Sequence, residues 1–167
     1  SIRAHSKMMS ARRAARMGLG YRPATEELYR FYAEECARLG HPEPEPFPRH
    51  GPAFLYVAED PEQALEQVAP HVIYASNMYA SWAGERTNAT KNGYWRQKSD
   101  LDSIRNDPSM WIVSPDEAVR RLSELDDDYE LRVHSLLGGL PPEMSWRSLE
   151  LLVDKVLPRV RSAQPVS

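Results

Sequence analysis

Two kinds of hydrophobic pattern alternate along the chain. One places apolar residues three or four positions apart, which predicts an amphipathic helix; the other is a short continuous apolar run, which predicts a buried strand. Helical patterns cover 10–17 and 26–39. Thr25 is a candidate N-cap for the second helix, and Gly40 ends it. Between them, 19–22 predicts a short strand.

Three further apolar runs predict the main strands, at 53–58, 110–113 and 129–134. The helix after the first begins at Asp60-Pro61-Glu62-Gln63, and Pro70 is expected to kink or break it. The helix after the second opens with Ser114-Pro115-Asp116-Glu117, which matches a capping box.

The last helix follows Pro141-Pro142 and is expected to end at Pro158. Its apolar spacing predicts a buried face made of Trp146, Leu149, Leu152, Val153 and Val156.

Strands that alternate with helices predict an α/β fold with a parallel sheet of about three strands and covering helices. We assign 1–161 to this fold. The polar stretch 84–108 has no clear period and predicts a poorly structured insertion, and 162–167 is expected to be a disordered tail.

Composition narrows the possible classes of protein. With 167 residues the chain is shorter than the roughly 250 residues of a complete eight-stranded β/α barrel. A net charge of −3 does not favour nucleic acid or anionic membranes as partners. One cysteine, Cys36, excludes an internal disulfide and is consistent with a cytoplasmic protein. The five histidines have no metal-ligand spacing, so no metal site is expected.

Three stretches resemble the bacterial luciferase-like, flavin-dependent monooxygenases: Ser10-Ala-Arg-Arg-Ala-Ala-Arg-Met-Gly, Val57-Ala-Glu-Asp-Pro-Glu-Gln-Ala, and Leu136-Leu-Gly-Gly-Leu-Pro-Pro-Glu-Met-Ser-Trp. The resemblance implies the carboxyl-terminal part of a (β/α)8 TIM-type barrel, with the last three of eight strands. It also implies reduced FMN as cofactor, with F420 as the alternative, and a small organic substrate. The insertion would act as a lid on the active site.

The resemblance also places a phosphate site just before the first helix. Family members have a Gly-Gly-Ser-type loop there, whereas this chain has Arg3-Ala-His-Ser-Lys, without the glycines. Ser6, Lys7 and Met8 are the candidate cofactor-binding residues, because free N–H groups at a helix start attract anions. A solvated chain end is the alternative interpretation.

Near the other end of the chain, His134 is a weak candidate for a catalytic residue, since a histidine at the end of a strand can move protons at neutral pH. Gly138 and Gly139 permit close approach of a ligand, or simply form a turn. Trp95 is a candidate lid residue over the cofactor or substrate.

These observations predict part of a flavin-dependent monooxygenase that forms a homo-oligomer or associates with the missing half of its barrel. The alternative is a non-catalytic α/β remnant that binds a partner or self-associates through an open sheet.

Overall fold

The computed structural model describes residues 2–23, 25–47, 49–84, 96–126 and 129–163. The chain divides into two compact units, Ser1–Pro48 and Arg49–Ser167, which we describe separately.

The first unit is a pair of helices, α1 (Ile2–Arg16) and α2 (Glu26–Arg38). Thr25 caps α2 by accepting a hydrogen bond from the Leu28 N–H at 3.4 Å, as predicted. The two helices bury a small cluster of side chains: Ala11, Ala15, Tyr32 and Cys36.

Two expectations for this unit are wrong. Helix α1 begins at Ile2 and not near residue 10, and 19–22 is an irregular segment and not a strand. The Leu19 carbonyl accepts a hydrogen bond from the Tyr32 hydroxyl at 2.8 Å, so this backbone group bonds to α2 instead of to a neighbouring strand.

The second unit contains most of the secondary structure. Its elements in chain order are β1 (Arg49–His50), β2 (Phe54–Val57), α3 (Pro61–Gly84), α4 (Leu101–Arg105), β3 (Met110–Val113), α5 (Pro115–Ser123), β4 (Tyr129–Glu130), a 3₁₀ turn (Leu137–Gly139), α6 (Pro142–Leu151), a π-helical turn (Leu152–Val156) and α7 (Leu157–Ala163).

The mixed α/β class is confirmed, but the described strands do not form one sheet of three. Strands β2 and β3 pair in parallel from Phe54 opposite Met110 to Val57 opposite Val113. Strand β4 pairs in parallel with β1, placing Tyr129 opposite Arg49, and it ends at Glu130 instead of continuing to residue 134. The predicted last strand is therefore much shorter and lies in a second two-stranded sheet.

Strand β2 is buried on both faces, as its continuous apolar run predicts. Phe54 and Tyr56 belong to a cluster with α3, which contributes a stripe of side chains: Ala64, Leu65, Val68, Ala69 and Val72. Leu55 and Val57 belong to the opposite cluster, with α5 and the last helix: Ala118, Leu122, Leu152 and Val156. Helices thus cover both faces of the β2–β3 pair.

Helix α6 also closes part of the outer edge of β2. The Val57 N–H donates to the Ser148 hydroxyl at 2.8 Å, and the Tyr56 hydroxyl donates to the Met144 carbonyl at 3.0 Å. Ser148 therefore satisfies a strand N–H that a further strand would otherwise bind.

The buried face of the last helix differs from the predicted one. Leu152 and Val156 are buried as expected, but Trp146 is 65% exposed and Val153 is 55% exposed. The remaining inward positions hold Ser145 and Ser148, both buried. Polar side chains occupy this face because the backbone opposite them offers hydrogen-bond partners.

Neither proline ends its helix. Helix α3 continues through Pro70, and the last helix continues through Pro158 to Ala163, so residues 162 and 163 are helical and not disordered. Just before Pro158 the hydrogen bonding widens, and the Leu157 N–H bonds to the Leu152 carbonyl five residues back. Such a π turn accommodates the proline, which cannot donate to the preceding turn.

The predicted insertion is in part well structured. Residues 85–95 lie outside the described chain, but Asp100 and Ser103 form a capping box that starts α4, and Ile104 is buried. Lys98 Nζ lies 2.5 Å from Asp107 Oδ2, and both side chains are buried. Asn77 of α3 binds both backbone groups of Lys98 at 2.9 Å. This segment is anchored to α3.

Asp107 is held in its charged form. Burial acts to raise its pKa, but the hydrogen bonds from Lys98 and Ser109 outweigh burial, and the pKa is lowered. The pair with Lys98 therefore persists at neutral pH.

Replacing Lys98 with Met should destabilise the protein by about 3–5 kcal/mol, because the buried Asp107 carboxylate loses its counter-ion. The double variant Lys98→Met/Asp107→Leu should recover most of this loss. Urea unfolding of each variant measures the effect. Arg105→Met, which breaks exposed pairs with Glu62 and Asp102, is the control and should cost less than about 1 kcal/mol. Equal losses in Lys98→Met and Arg105→Met would contradict the assignment of Lys98 as a buried anchor.

Candidate functional site

A cleft of about 350 Å³ lies between α3 and the loop that leads to the last helix. Its lining comes from two segments, the carboxyl-terminal half of α3 and residues 134–138: Tyr74, Ala75, Met78, Tyr79, Trp82, His134, Ser135, Leu136, Leu137 and Gly138. We call it the α3 cleft. Its volume lies at the small end of the range for small-molecule sites.

One wall of the α3 cleft is aromatic. Tyr74, Met78 and Trp82 are spaced four residues apart, which places them along one face of α3. Tyr74, Tyr79 and Trp82 are 60%, 46% and 53% exposed, and the Tyr79 and Trp82 rings meet edge to face with centroids 5.5 Å apart. Exposed aromatics grouped around a concavity are typical of a binding site and not of core packing.

The opposite wall depends on Gly138. This residue has φ +59°, and a Cβ atom at this position would overlap the His71 carbonyl oxygen of α3. In the described chain the group that approaches Gly138 closely is the backbone of α3, and the approach of a ligand stays a prediction. Gly139 has φ +77°, and a Cβ atom there would meet nothing within 4 Å, so this glycine serves the turn alone.

His134 lines the α3 cleft, although not from a strand. Strand β4 ends at Glu130, so His134 lies in the loop beyond it, with its side chain exposed. His134 and Gly138 both line the cleft beside its aromatic wall. A chemical role for His134 stays a prediction.

The predicted phosphate-binding residues do not have the expected setting. Ser6, Lys7 and Met8 lie inside α1 and not before it, so the argument from free N–H groups at a helix start is wrong. They belong to the first unit. The side chains of Ser6 and Lys7, and all of Trp95, lie outside the described residues.

Tyr74 and Leu136 line the α3 cleft but are not among the candidate site residues predicted from the sequence. A signal for Tyr74 exists, because 74, 78 and 82 form a second stripe on α3, separate from the stripe at 65, 68 and 72 that packs on β2. Two apolar stripes on one helix predict that it contacts more than the sheet. No comparable signal marks Leu136, whose position depends on the loop.

A second cavity, of about 370 Å³, lies where α4 meets the start of α3. Its two arginines are already paired with carboxylates: Arg105 bonds to Glu62 at 2.6 Å and Asp102 at 2.7 Å, and Arg121 bonds to Glu117 at 2.6 Å. These pairs neutralise the charge that an anion would need, so the α3 cleft is the stronger candidate site.

The sequence matches no protein-family model and no curated protein. In the described part of the chain, no cluster of His, Cys, Asp or Glu could hold a metal ion. Among the same residues, no helix has the length and apolar character needed to cross a membrane.

Replacing Gly138 with Ala should destabilise the protein by about 2–4 kcal/mol, since it adds positive-φ strain and a steric overlap with α3. Gly139→Ala is a matched control with similar strain and no overlap, and it should cost only about 1–2 kcal/mol. Thermal and urea unfolding measure both. Equal destabilisation would show that α3 does not approach Gly138 as closely as described.

Proposed function

We propose that this chain is the carboxyl-terminal part of a luciferase-like, flavin-dependent monooxygenase, and that the α3 cleft forms one wall of its substrate site. The observation that carries the proposal is the aromatic cleft beside the loop 134–138. That loop belongs to the same Leu-Leu-Gly-Gly-Leu-Pro-Pro stretch that resembles the family.

The proposal of a barrel fragment draws support from the second unit. Strands β2 and β3 are parallel, joined through helices, and covered by helices on both outer sides. Parallel strands joined through helices are the repeating element of a β/α barrel, and this part of the arrangement supports the proposal. The second helical layer does not, because a barrel carries its helices on the outer face of the sheet only. In a complete barrel, a further strand would also pair with the outer edge of β2, where Ser148 accepts the Val57 N–H, so α6 would have to move away from that edge.

The described residues do not fit a complete FMN or F420 molecule. The α3 cleft offers aromatic surface for a planar ring, but the described residues of its lining include no Lys or Arg to bind a phosphate. Ser6, Lys7 and Met8 do not provide the expected helix start either. We therefore assign the cofactor phosphate to parts of the barrel outside this chain and derive no chemical step from the flavin.

What the described residues can do is hold an organic substrate. Tyr74, Tyr79 and Trp82 present ring faces and edges, and the described residues that line the cleft include no Asp, Glu, Lys or Arg. A charged substrate would lose its hydration without gaining a partner, so the α3 cleft favours a neutral, apolar one. His134 lines the same cleft, which supports its proposed role in proton transfer.

The alternative is self-association through an open sheet, and the outer edge of β2 is not open to such pairing. The Val57 N–H on the outer edge of β2 is already bonded to Ser148, so a second copy cannot pair there without displacing α6. The same bond would have to open for a further barrel strand to pair with β2, so this edge does not separate the two hypotheses. We retain the monooxygenase hypothesis because of the resemblance and the aromatic cleft.

The cofactor proposal is tested by flavin titration. A polypeptide that joins this chain to a complete upstream barrel half should bind FMN or F420 at least about 100-fold more tightly than residues 1–167 alone, because the phosphate site lies upstream. Fluorescence quenching of the flavin measures both affinities. Tight binding by the 167-residue chain would contradict the assignment of the phosphate, and no binding by the joined polypeptide would contradict the family.

The substrate wall is tested with a neutral aromatic probe, naphthalene-2-methanol, and its anionic counterpart, 2-naphthoate. Both should be followed by equilibrium binding, and the neutral probe should bind more tightly. Replacing Trp82 with Ala should weaken the binding of the neutral probe by roughly 5- to 100-fold, because ring contact and buried area are lost.

Trp146→Ala is the matched control for Trp82. Trp146 is similarly exposed, at 65%, but it lies on α6 and does not line the α3 cleft. Its replacement should leave probe binding unchanged. Equal losses in the two variants would remove the α3 cleft from the proposed substrate site.

A further inference from the structure

His71 lies behind the α3 cleft and contacts the loop that forms one of its walls. Its Nδ1 atom is 3.0 Å from the Gly138 carbonyl oxygen. A carbonyl oxygen only accepts, so Nδ1 carries the hydrogen and donates it. The side chain is half-buried and does not line the cleft.

The backbone of His71 also limits how closely the loop can approach α3. The backbone carbonyl of His71 lies so close to the Gly138 Cα that no side chain fits there. The imidazole therefore draws the loop toward α3, while the carbonyl sets the closest distance it can reach. Together they fix the separation of Gly138 from the helix that carries Tyr74 and Trp82.

Other contacts anchor the same loop, to α6 and to the apolar cluster that β2 shares with α3. The Ser145 hydroxyl of α6 donates to the Ser135 carbonyl at the start of the loop. Leu140 at its end is buried in the cluster that contains Phe54 and Val68. The bond from His71 differs from the apolar contacts because it is a directional hydrogen bond from an α3 side chain to the Gly138 carbonyl, which lies in the cleft wall.

We propose that His71 is a positioning residue for the α3 cleft. It sets the width of the cleft by holding the loop 134–138 against α3, although it does not touch the bound molecule. This inference rests on the proposed substrate wall, since it concerns the same cleft. It predicts that ligand affinity depends on a hydrogen bond outside the lining.

The experiment compares His71→Leu with His71→Asn in the full chain, using naphthalene-2-methanol as the probe. Leucine removes the donor, and the probe should bind about 3- to 10-fold more weakly, which is the expected effect of one lost hydrogen bond. In asparagine the side-chain Nδ2 is attached at the same branch point as Nδ1 of histidine. It can donate to the Gly138 carbonyl, so His71→Asn should restore most of the affinity.

Amide hydrogen exchange provides a second readout that needs no ligand. In His71→Leu the amides of residues 136–140 should exchange at least about 3-fold faster than in the wild type, and in His71→Asn they should not. Wild-type probe affinity and wild-type exchange in His71→Leu would overturn the positioning role while leaving the substrate wall intact. Equal losses in the Leu and Asn variants would also overturn it, because the donated hydrogen bond would then not be the cause.

Different results would contradict the proposal that the cleft is a substrate wall. If the wild-type chain does not bind the probe, or if Trp82→Ala binds it with unchanged affinity, both the proposed function of the cleft and the role of His71 are contradicted.

Discussion

The second unit depends on the burial of one short strand from both sides. The four residues of β2 are all buried, and no other described strand is buried at every position. The side chains of Phe54 and Tyr56 pack toward α3, and those of Leu55 and Val57 pack toward α5 and the last helix. Every major helix of the unit therefore takes its position from β2. Loss of this strand would remove the shared surface of both clusters.

The α3 cleft is a geometric result of that arrangement. A strand of four residues spans roughly 13 Å, whereas the 24 residues of α3 span about 36 Å. The first half of α3 covers β2, and the second half extends past it with no strand to bury its apolar residues. The loop 134–138 packs beside this extension, and the space between them is the cleft. Its aromatic wall is thus the part of α3 that the sheet is too short to cover.

The sequence predicted the elements that are specified locally. Helix α2 with its Thr25 cap, the buried run of β2, and the start of α5 at Ser114 all depend on neighbouring residues, and the structure confirms them. Some errors are local, such as the start of α1 and the expected helix breaks at Pro70 and Pro158, and others are non-local. The pairing of β4 with β1 depends on a contact between residues about 80 positions apart, such as Arg49 and Tyr129, which no periodicity reveals.

The candidate site was predictable to a similar extent. His134 and Gly138 were identified from local signals, and both line the α3 cleft. The contribution of α3 could be only partly seen, because the loop that faces it is distant in sequence. The buried face of α6 was assigned wrongly because Ser145 and Ser148 look like surface residues. Their hydroxyls are buried only because Ser135 and Val57 present backbone groups to them.

The bond between Ser148 and Val57 also bears on the order in which the molecule folds. Its two residues are 91 positions apart, and its acceptor is useful only once β2 is extended and its N–H points outward. A contact of this separation closes a long loop and forms slowly compared with a helix or a turn. The docking of α6 is therefore expected to be a late step, after β2 has paired with β3 and α3 has covered it. Until then one side of β2 is open, and this is the interval in which the chain is most exposed to aggregation during synthesis.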